Sequence, residues 1–339
     1  MNAYYRPLIC RNGPRPDTAL DVAGGPYWFC EAEMRLRDGT RKRVPLSAMP
    51  AAWQTAISAP RADVAGLALD RPRLMGILNV TPDSFSDGGR HDGYDAAICH
   101  ATAMQQAGAD LIDIGGESTR PGAKPVPIEE EIARTAPVIA ALTKASIGPI
   151  SIDTRKVPVA EQAVASGAGL VNDVSGLDHD AAMAGYVART KLPVCVMHSQ
   201  GDPEVMQDDP RYSDVLLDVY DFLAARVARL EQLGVPRGRI VVDPGIGFGK
   251  TQAHNLALLN GIALFHGLGC AILLGASRKK FIGTIGGTAE AGARVAGSVA
   301  VALAGAAQGV QILRIHDVDE TRQALALWSA IEQGEQHGA

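Results

Sequence analysis

The chain has no long run of Lys or Arg, no Cys-x-x-Cys pair, and none of the motifs HExxH, GxSxG or the Rossmann glycine fingerprint. Without a basic run, and with a formal net charge of −5, it is not an obvious partner for nucleic acid or an anionic membrane. Any phosphate it binds must be held by a few focused cations. The five cysteines (Cys10, Cys30, Cys99, Cys195, Cys270) are odd in number and scattered, which points to a reducing, cytoplasmic setting rather than a disulfide framework. Cys195 lies inside an apolar run and reads as a small core residue. The opening Met1-Asn-Ala-Tyr-Tyr-Arg-Pro lacks the charged-then-apolar order of a signal peptide. The most apolar stretch, Val295 to Val310, is rich in Ala and Gly and contains Gln308. It reads as a buried helix rather than a membrane span.

What is present is a repeat of design. Apolar, β-branched runs each stop abruptly at residues able to hold a ligand. Leu74-Met-Gly-Ile-Leu78 opens into Asn79-Val-Thr-Pro-Asp-Ser-Phe-Ser-Asp-Gly-Gly89. The same pattern returns at Ala109–Arg120, Pro149–Thr154, Gly169–Asp173, Leu192–His198, Arg239–Gly245, Ala271–Lys279 and Gly309–Asp317. Eight such segments separated by helix-length stretches predict an α/β fold, a (β/α)8 TIM barrel with its site on one face. The chain's 339 residues exceed the roughly 250 typical of such a barrel, and 47% apolar residues suffice for its core.

The barrel is expected from about residue 71 to 333, with a short tail at 334–339. Helices are expected over Tyr94–Ala107, Ile128–Leu142 (kinked at Pro137), Val157–Ser166, Asp214–Leu233 and, from a capping box at Asp317–Glu320, to about Ile331. Residues 1 to about 70 fall outside the repeat and form an N-terminal extension. Within it, Pro26 to Val44 reads as a hairpin turning at Asp38-Gly39, with Arg41-Lys42-Arg43 as a solvated strand end. Tyr27, Trp28 and Phe29 are expected to pack on the barrel, closing the face opposite the site.

Read in order, the strand tips offer Asn79; Glu117, Ser118, Thr119 and Arg120; Asp153; Asn172 and Asp173; His198; Asp243; Ser277, Arg278 and Lys279; and Arg314, His316 and Asp317. Asp153, Asn172 and Asp243 are short acceptor or amide groups from three strands and suit an NH-rich planar heterocycle. Their alternative is to cap the helices that follow. Arg120, Lys279, Arg314 and His316 suit a phosphate or diphosphate; Arg314 and His316 share a face. His316 is alternatively a satisfied core histidine, and His198 either supports the site or belongs to the core. Asn79 offers one oxygen to a Mg²⁺ that keeps its waters and leans on substrate phosphates. Asp243-Pro-Gly-Ile-Gly-Phe-Gly-Lys-Thr251 is not a P-loop, because Pro244 stands where the first Gly belongs. Its glycines let the loop pass close to a flat ligand, with Phe248 as a wall.

These residues make the chain similar to the dihydropteroate synthase family over about 73 to 333. The motifs are Met75–Gly89, Asp113–Gly122, Ser151-Ile-Asp-Thr154, Asn172-Asp173, Met197-His198, Asp243–Lys250, Ser277-Arg-Lys279 and Arg314-Ile-His-Asp317. The resemblance implies a Mg²⁺-assisted transferase of folate biosynthesis. It would join 6-hydroxymethyl-7,8-dihydropterin diphosphate to 4-aminobenzoate and release diphosphate. It further implies that Asp153, Asn172, Asp243 and Lys279 hold the pterin and that Asn79 ligates the metal. Arg314, His316 and Arg120 would grip the diphosphate, and Phe85, Thr119, Pro121, Phe248 and Lys279 would frame the aminobenzoate. The loops at Thr81–Gly89 and Glu117–Gly122 are expected to order over the site once diphosphate binds. A homodimer through barrel helices, with the 295–308 helix as a candidate contact, and sensitivity to sulfonamides also follow from the resemblance. Lys280 stands where some relatives carry Ser, at the edge of the aminobenzoate pocket. Two other readings share the pterin-recognising residues: a methyltetrahydrofolate-binding methyltransferase module, which has no need of a diphosphate grip, and a non-catalytic pterin-binding paralogue.

Overall fold

The structure is a computed structural model and describes residues 3–80, 90–118, 123–201, 206–207 and 209–334. The expected lid loop at 81–89 with Phe85, together with Thr119, Arg120 and Pro121, lies outside the described residues.

The extension comes first. Strands β1 (Tyr4–Pro7), β4 (Glu31–Arg35) and β5 (Arg41–Pro45) form an antiparallel sheet in the order β1-β4-β5. The short β2 (Leu20–Asp21) and β3 (Trp28–Phe29) pair separately, and helix α1 (Ala51–Ser58) follows. The expected hairpin is β4–β5, in register Arg35↔Arg41. Gly39 supplies the left-handed turn residue at φ 88°, and Asp38 accepts from the Thr40 N–H at 2.8 Å. Arg41, Lys42 and Arg43 are exposed on the edge strand, where charge discourages further pairing.

Then the barrel closes. Its strands are β6 (Arg73–Asn79), β7 (Leu111–Gly115), β8 (Ile150–Asp153), β9 (Leu170–Asp173), β10 (Val194–Met197), β11 (Ile240–Asp243), β12 (Ala271–Leu274) and β13 (Ile312–Ile315). All eight pairings are parallel, and β13 returns to β6. Such strands are buried on both faces, which is why each reads as a predominantly apolar run. The helices are α2 (Arg90–Gln106), α3 (Ile128–Lys144), α4 (Val157–Ala165), α5 (Met183–Thr190), α6 (Val215–Gln232), α7 (Gln252–Gly261), α8 (Lys280–Gly286), α9 (Val295–Ala306) and α10 (Val318–Gln333).

Helix starts and stops follow local chemistry. Gly108 and Gly234 take positive φ just beyond α2 and α6. Asp214 caps α6, accepting from Leu216 N and Leu217 N. The capping box expected at Asp317 is absent: that side chain makes no cap bond and pairs instead with Arg278. A salt bridge at the barrel rim has taken the carboxylate from the helix. Helix α9 buries one face, and Gly305 brings it against Leu274 of β12, where a Cβ would lie 2.5 Å from the leucine methyl. No described helix is long and apolar enough to cross a membrane.

The face opposite the site is closed by different residues from those expected. Val64, Leu67 and Leu69 cover Met75, Leu111, Leu170, Val241 and Leu273 at the N-terminal strand ends. Phe29 is buried in the extension's own small core, and Tyr27 reaches Trp328 of α10 edge-on at 6.2 Å. The extension grips the barrel at the 3-10 turn Ile262–Leu268 and at α6. Trp53 stacks on Tyr220 (5.5 Å, 16°), Tyr4 donates to Asp221 at 2.8 Å, and Arg37 pairs with Asp218 at 2.6 Å. Gly267 leaves room for the indole: a Cβ there would sit 2.1 Å from it. Trp53→Ala is therefore expected to cost roughly 3 kcal/mol of stability, seen as a lower calorimetric Tm with activity at 25 °C retained. An unchanged Tm would show that the extension is not clamped through this ring.

Candidate active site

Parallel register places the site. Asn79 pairs with Gly115, Gly115 with Asp153, and Asp153 with Asn172, so one row of residues runs round the rim across four strands. Gly115 keeps that row open. A Cβ there would stand 3.5 Å from the Asp153 Cβ and 3.9 Å from Asn79 Oδ1. Across the mouth, Gly275 does the same for Asp243 and Arg314.

At the centre lies a chain of charge. Arg314 donates from Nε to Asp113 Oδ2 at 2.6 Å and from Nη2 to Asp153 Oδ2 at 2.8 Å. Asn172 Nδ2 donates to the same Asp113 oxygen at 3.0 Å. Asp113 is fully buried, and its other oxygen has no partner among the described residues. Burial pushes the Asp153 carboxyl up to about 7; Arg314 opposes the rise, and the Asp113 charge adds to it. The two expected acids are not helix caps. Asp153 faces Arg314, while Asp243 accepts from the Gly245 N–H at 2.7 Å, shaping the turn after β11. The following helices start from Lys156 and Thr251. Burial also raises Asp243, with Lys279 and Arg314 opposing.

Lys279 belongs to this group. Its ammonium donates to the Ile246 carbonyl and lies 4.3 Å from the centroid of the Phe248 ring. Burial pulls it down to about 7, against the pull of Asp243. His316 sits half-buried at the β13 tip, its Nδ1 3.0 Å from Ser277 Oγ. Lys280 is exposed at the start of α8. Asn79 is half-buried, and its side chain makes no hydrogen bond within the described residues. No group of three or more His, Cys, Asp or Glu able to hold a metal occurs among the described residues. One amide oxygen at the β6 tip is a donor that suits a hydrated cation leaning on substrate phosphate.

Other tip residues turn inward to build the rim. Glu117 is not free for a ligand: it pairs with Arg155 at 2.5 Å and with Lys156 at 2.6 Å, and accepts from Val126 N at 2.8 Å. Lys156 also meets Glu131 of α3 at 2.6 Å, and Thr154 donates to Glu131 at 2.7 Å. Asp173 accepts from Ser175 N and Oγ, with burial raising it to about 6. His198 is buried, 2.9 Å from Lys250 Nζ, and burial with that neighbour lowers it to about 3, so the imidazole is neutral. Asp113, Arg155, Lys156 and Lys250 were not singled out from the sequence. Only for Asp113 was there a signal: a lone acid inside the apolar run Leu111-Ile-Asp-Ile114.

Known proteins resemble this chain over the barrel. Residues 75–316 match the family model described as pterin binding enzyme. The dihydropteroate synthase of Escherichia coli K12 is 45% identical over 266 residues, covering 78% of this chain and 93% of its own. A structure of Xanthomonas albilineans dihydropteroate synthase with 4-aminobenzoic acid superposes with a TM-score of 0.76 at 47% identity, covering 82% of this chain and 99% of that one. The Yersinia pestis dihydropteroate synthase in complex with a sulfonamide drug gives 0.75 at 43% identity, covering 81% and 100%. The barrel and its rim thus define a pterin-binding enzyme. Within that class, the chain belongs to the dihydropteroate synthase family.

The Glu117 network yields a stability prediction. Lys156→Met leaves Glu117 and Glu131 buried without their shared cation, an expected loss of about 3–5 kcal/mol. Urea unfolding measures it, and an unchanged midpoint would mean that the two acids are neutral in the native state.

Proposed function

We infer that this protein joins 6-hydroxymethyl-7,8-dihydropterin diphosphate to 4-aminobenzoate, giving 7,8-dihydropteroate and diphosphate. The observation that carries the reading is the shared rim. Three heterocycle-binding groups (Asp153, Asn172, Asp243) stand around two cations (Lys279, Arg314), in a chain 45% identical to an established synthase. A methyl-transferring module would need the acids but not the cations.

The chemistry follows from charge. The carbon–oxygen bond to diphosphate breaks first, its electron pair leaving with the phosphate. Positive charge is left on the pterin methylene, near Asp153 and Asp243. The arylamine nitrogen then forms the new bond and gives up a proton. No protein nucleophile is required, so catalysis is electrostatic. Arg314 has two duties that succeed each other. Without substrate it neutralises Asp113 and Asp153; with the pterin on Asp153, its guanidinium is released toward the diphosphate, beside His316. Asn79 would supply one oxygen to Mg²⁺, whose charge would offset that of the departing diphosphate. Phe248 and Lys279 would form one wall of the aminobenzoate pocket, with Phe85, Thr119 and Pro121 completing it, and Arg120 would join the diphosphate grip. We place the enzyme in the cytoplasm, in keeping with its five free cysteines, and as a homodimer through barrel helices.

Turnover from the two substrates is the direct test, with sulfamethoxazole inhibiting in competition with 4-aminobenzoate. Absence of product would overturn the assignment; inhibition that does not fade with added aminobenzoate would remove the pocket.

A second expectation concerns pH. Asp153 ionises and Lys279 loses its proton near the same value, about 7 for each. Below it the acid cannot accept the pterin N–H groups, and above it the cation is lost. The profile of kcat/KM for the pterin substrate should be a bell centred near neutrality. In Asp153→Asn the acid limb should vanish while the alkaline limb stays, with kcat/KM lowered by about 10–100-fold at the optimum. An acid limb that persists in that variant assigns it to another group.

A further inference from the structure

Lys250 is buried at 3% exposure although the chemistry above makes no use of it. Its Nζ has three hydrogen-bond partners: His198 Nδ1 at 2.9 Å, the His198 carbonyl at 3.3 Å and the Phe248 carbonyl at 2.9 Å; burial pulls its pKa well below the usual lysine value. Three partners use the full hydrogen-bonding capacity of the Lys250 nitrogen. The two carbonyls accept from Nζ, and the third contact is a hydrogen bond shared with the neutral imidazole. Phe222 stands edge-on to that ring at 4.8 Å and fixes its plane.

The pair sits beneath a glycine-rich loop whose backbone is held by side chains from other elements. Between β11 and α7, Gly245, Gly247 and Gly249 all take left-handed φ (68°, 82°, 62°), so alternate residues carry no side chain. The loop is pressed onto the segment after β10. A Cβ on Gly245 would lie 1.9 Å from the His198 carbonyl, and one on Gly249 2.6 Å from that of Gln200. Four successive carbonyls each take one side-chain donor. Ile246 accepts from Lys279, Gly247 from Gln207 (2.7 Å), Phe248 from Lys250 (2.9 Å) and Gly249 from Tyr212 (2.7 Å). Of these donors, Lys250 is the one on the peptide that carries the Phe248 ring, and it alone ties that peptide to a second strand tip.

We propose that Lys250, with His198 as its anchor, is a positioning residue for the arylamine half of the reaction, holding Phe248 under the Lys279 ammonium. The proposal rests on the synthase reading given above. It separates the two substrates. Asp153 and Asn172 are held by strand register and by Arg314 and Asp113, and Asp243 by the Gly245 N–H. None of those contacts involves Lys250, whereas the Phe248 carbonyl loses its donor when Lys250 is changed.

The experiment is steady-state kinetics of the full-length enzyme and its Lys250→Met variant, with both substrates varied and the Kd of the pterin diphosphate measured by fluorescence. Product from the wild type tests the synthase reading, and its absence would overturn that reading. Given turnover, the variant should raise the KM for 4-aminobenzoate about tenfold and leave the pterin Kd within about twofold. In a double-mutant cycle, Phe248→Leu combined with Lys250→Met should be no worse than the larger single change, because both act through one ring. Should Lys250→Met fail to fold, His198→Leu removes one partner of Lys250 and should raise the same KM to a smaller degree. An unchanged KM for 4-aminobenzoate, an equal loss for both substrates, or additive effects in the cycle would each overturn the proposal and leave Lys250 as a fold-stabilising residue.

Discussion

Carboxylates buried at the mouth of an apolar barrel can stay ionised only if cations are delivered to them, and nearly every feature of this site answers that constraint. Asp113 and Asp153 come from neighbouring strands, and the Arg314 guanidinium spans them. Asp243 has Lys279 and a backbone N–H. Glu117 and Glu131 have Arg155 and Lys156. Pairing at this depth is as much a matter of avoiding an unpaired charge as of gaining stability. It also prepares the site for a ligand, because a group that supplies N–H donors to a carboxylate can take the place of the cation and free it for an anion elsewhere.

The closed sheet enforces this economy. Eight parallel strands put their C-terminal residues on one ring, so groups far apart in sequence become neighbours without any loop having to place them. The rigid row of Asn79, Gly115, Asp153 and Asn172 contrasts with the 244–250 loop, whose glycine backbone is held by donors on other elements. One arc of the rim is thus set by register and the other by hydrogen bonds to carbonyls. Substitutions should act differently on the two arcs, since a strand cannot shift by a fraction of a residue and a glycine loop can.

Much of this was legible in the amino-acid order, for a physical reason. A strand buried on both faces must be largely apolar, so the polar residues where each run stops mark the rim; Asp153, Asn172, Asp243 and Arg314 announce themselves in this way. What stayed hidden depends on contacts across the chain. Glu117 looked like a ligand-binding tip because Arg155 and Lys156 lie some forty positions away, and no periodicity links them. Lys250 looked like the end of a failed phosphate loop, and only the fold shows it under His198. Asp317 had the spacing of a capping box, yet Arg278 on the neighbouring strand's loop competed for it and won. The aromatic cluster of the extension was correctly read as apolar, but its destination was not, because Val64, Leu67 and Leu69 carry no pattern that marks them as a barrel floor.

The contact between the extension and α10 has a consequence for how the molecule is made. Tyr27 meets Trp328, and Arg11 reaches Glu332 at 3.3 Å, across 321 positions of sequence. Synthesis runs from the N-terminus, so these early residues leave the ribosome without their partners and must wait for almost the whole chain. The barrel imposes the same delay, since β6 completes the ring with β13. Both closures join the first part of the chain to the last, and contacts of such long span are slow to form. Until then the floor residues and the edges of β6 stay open to other chains. A newly made molecule is therefore most at risk of association in the interval before its final helix emerges.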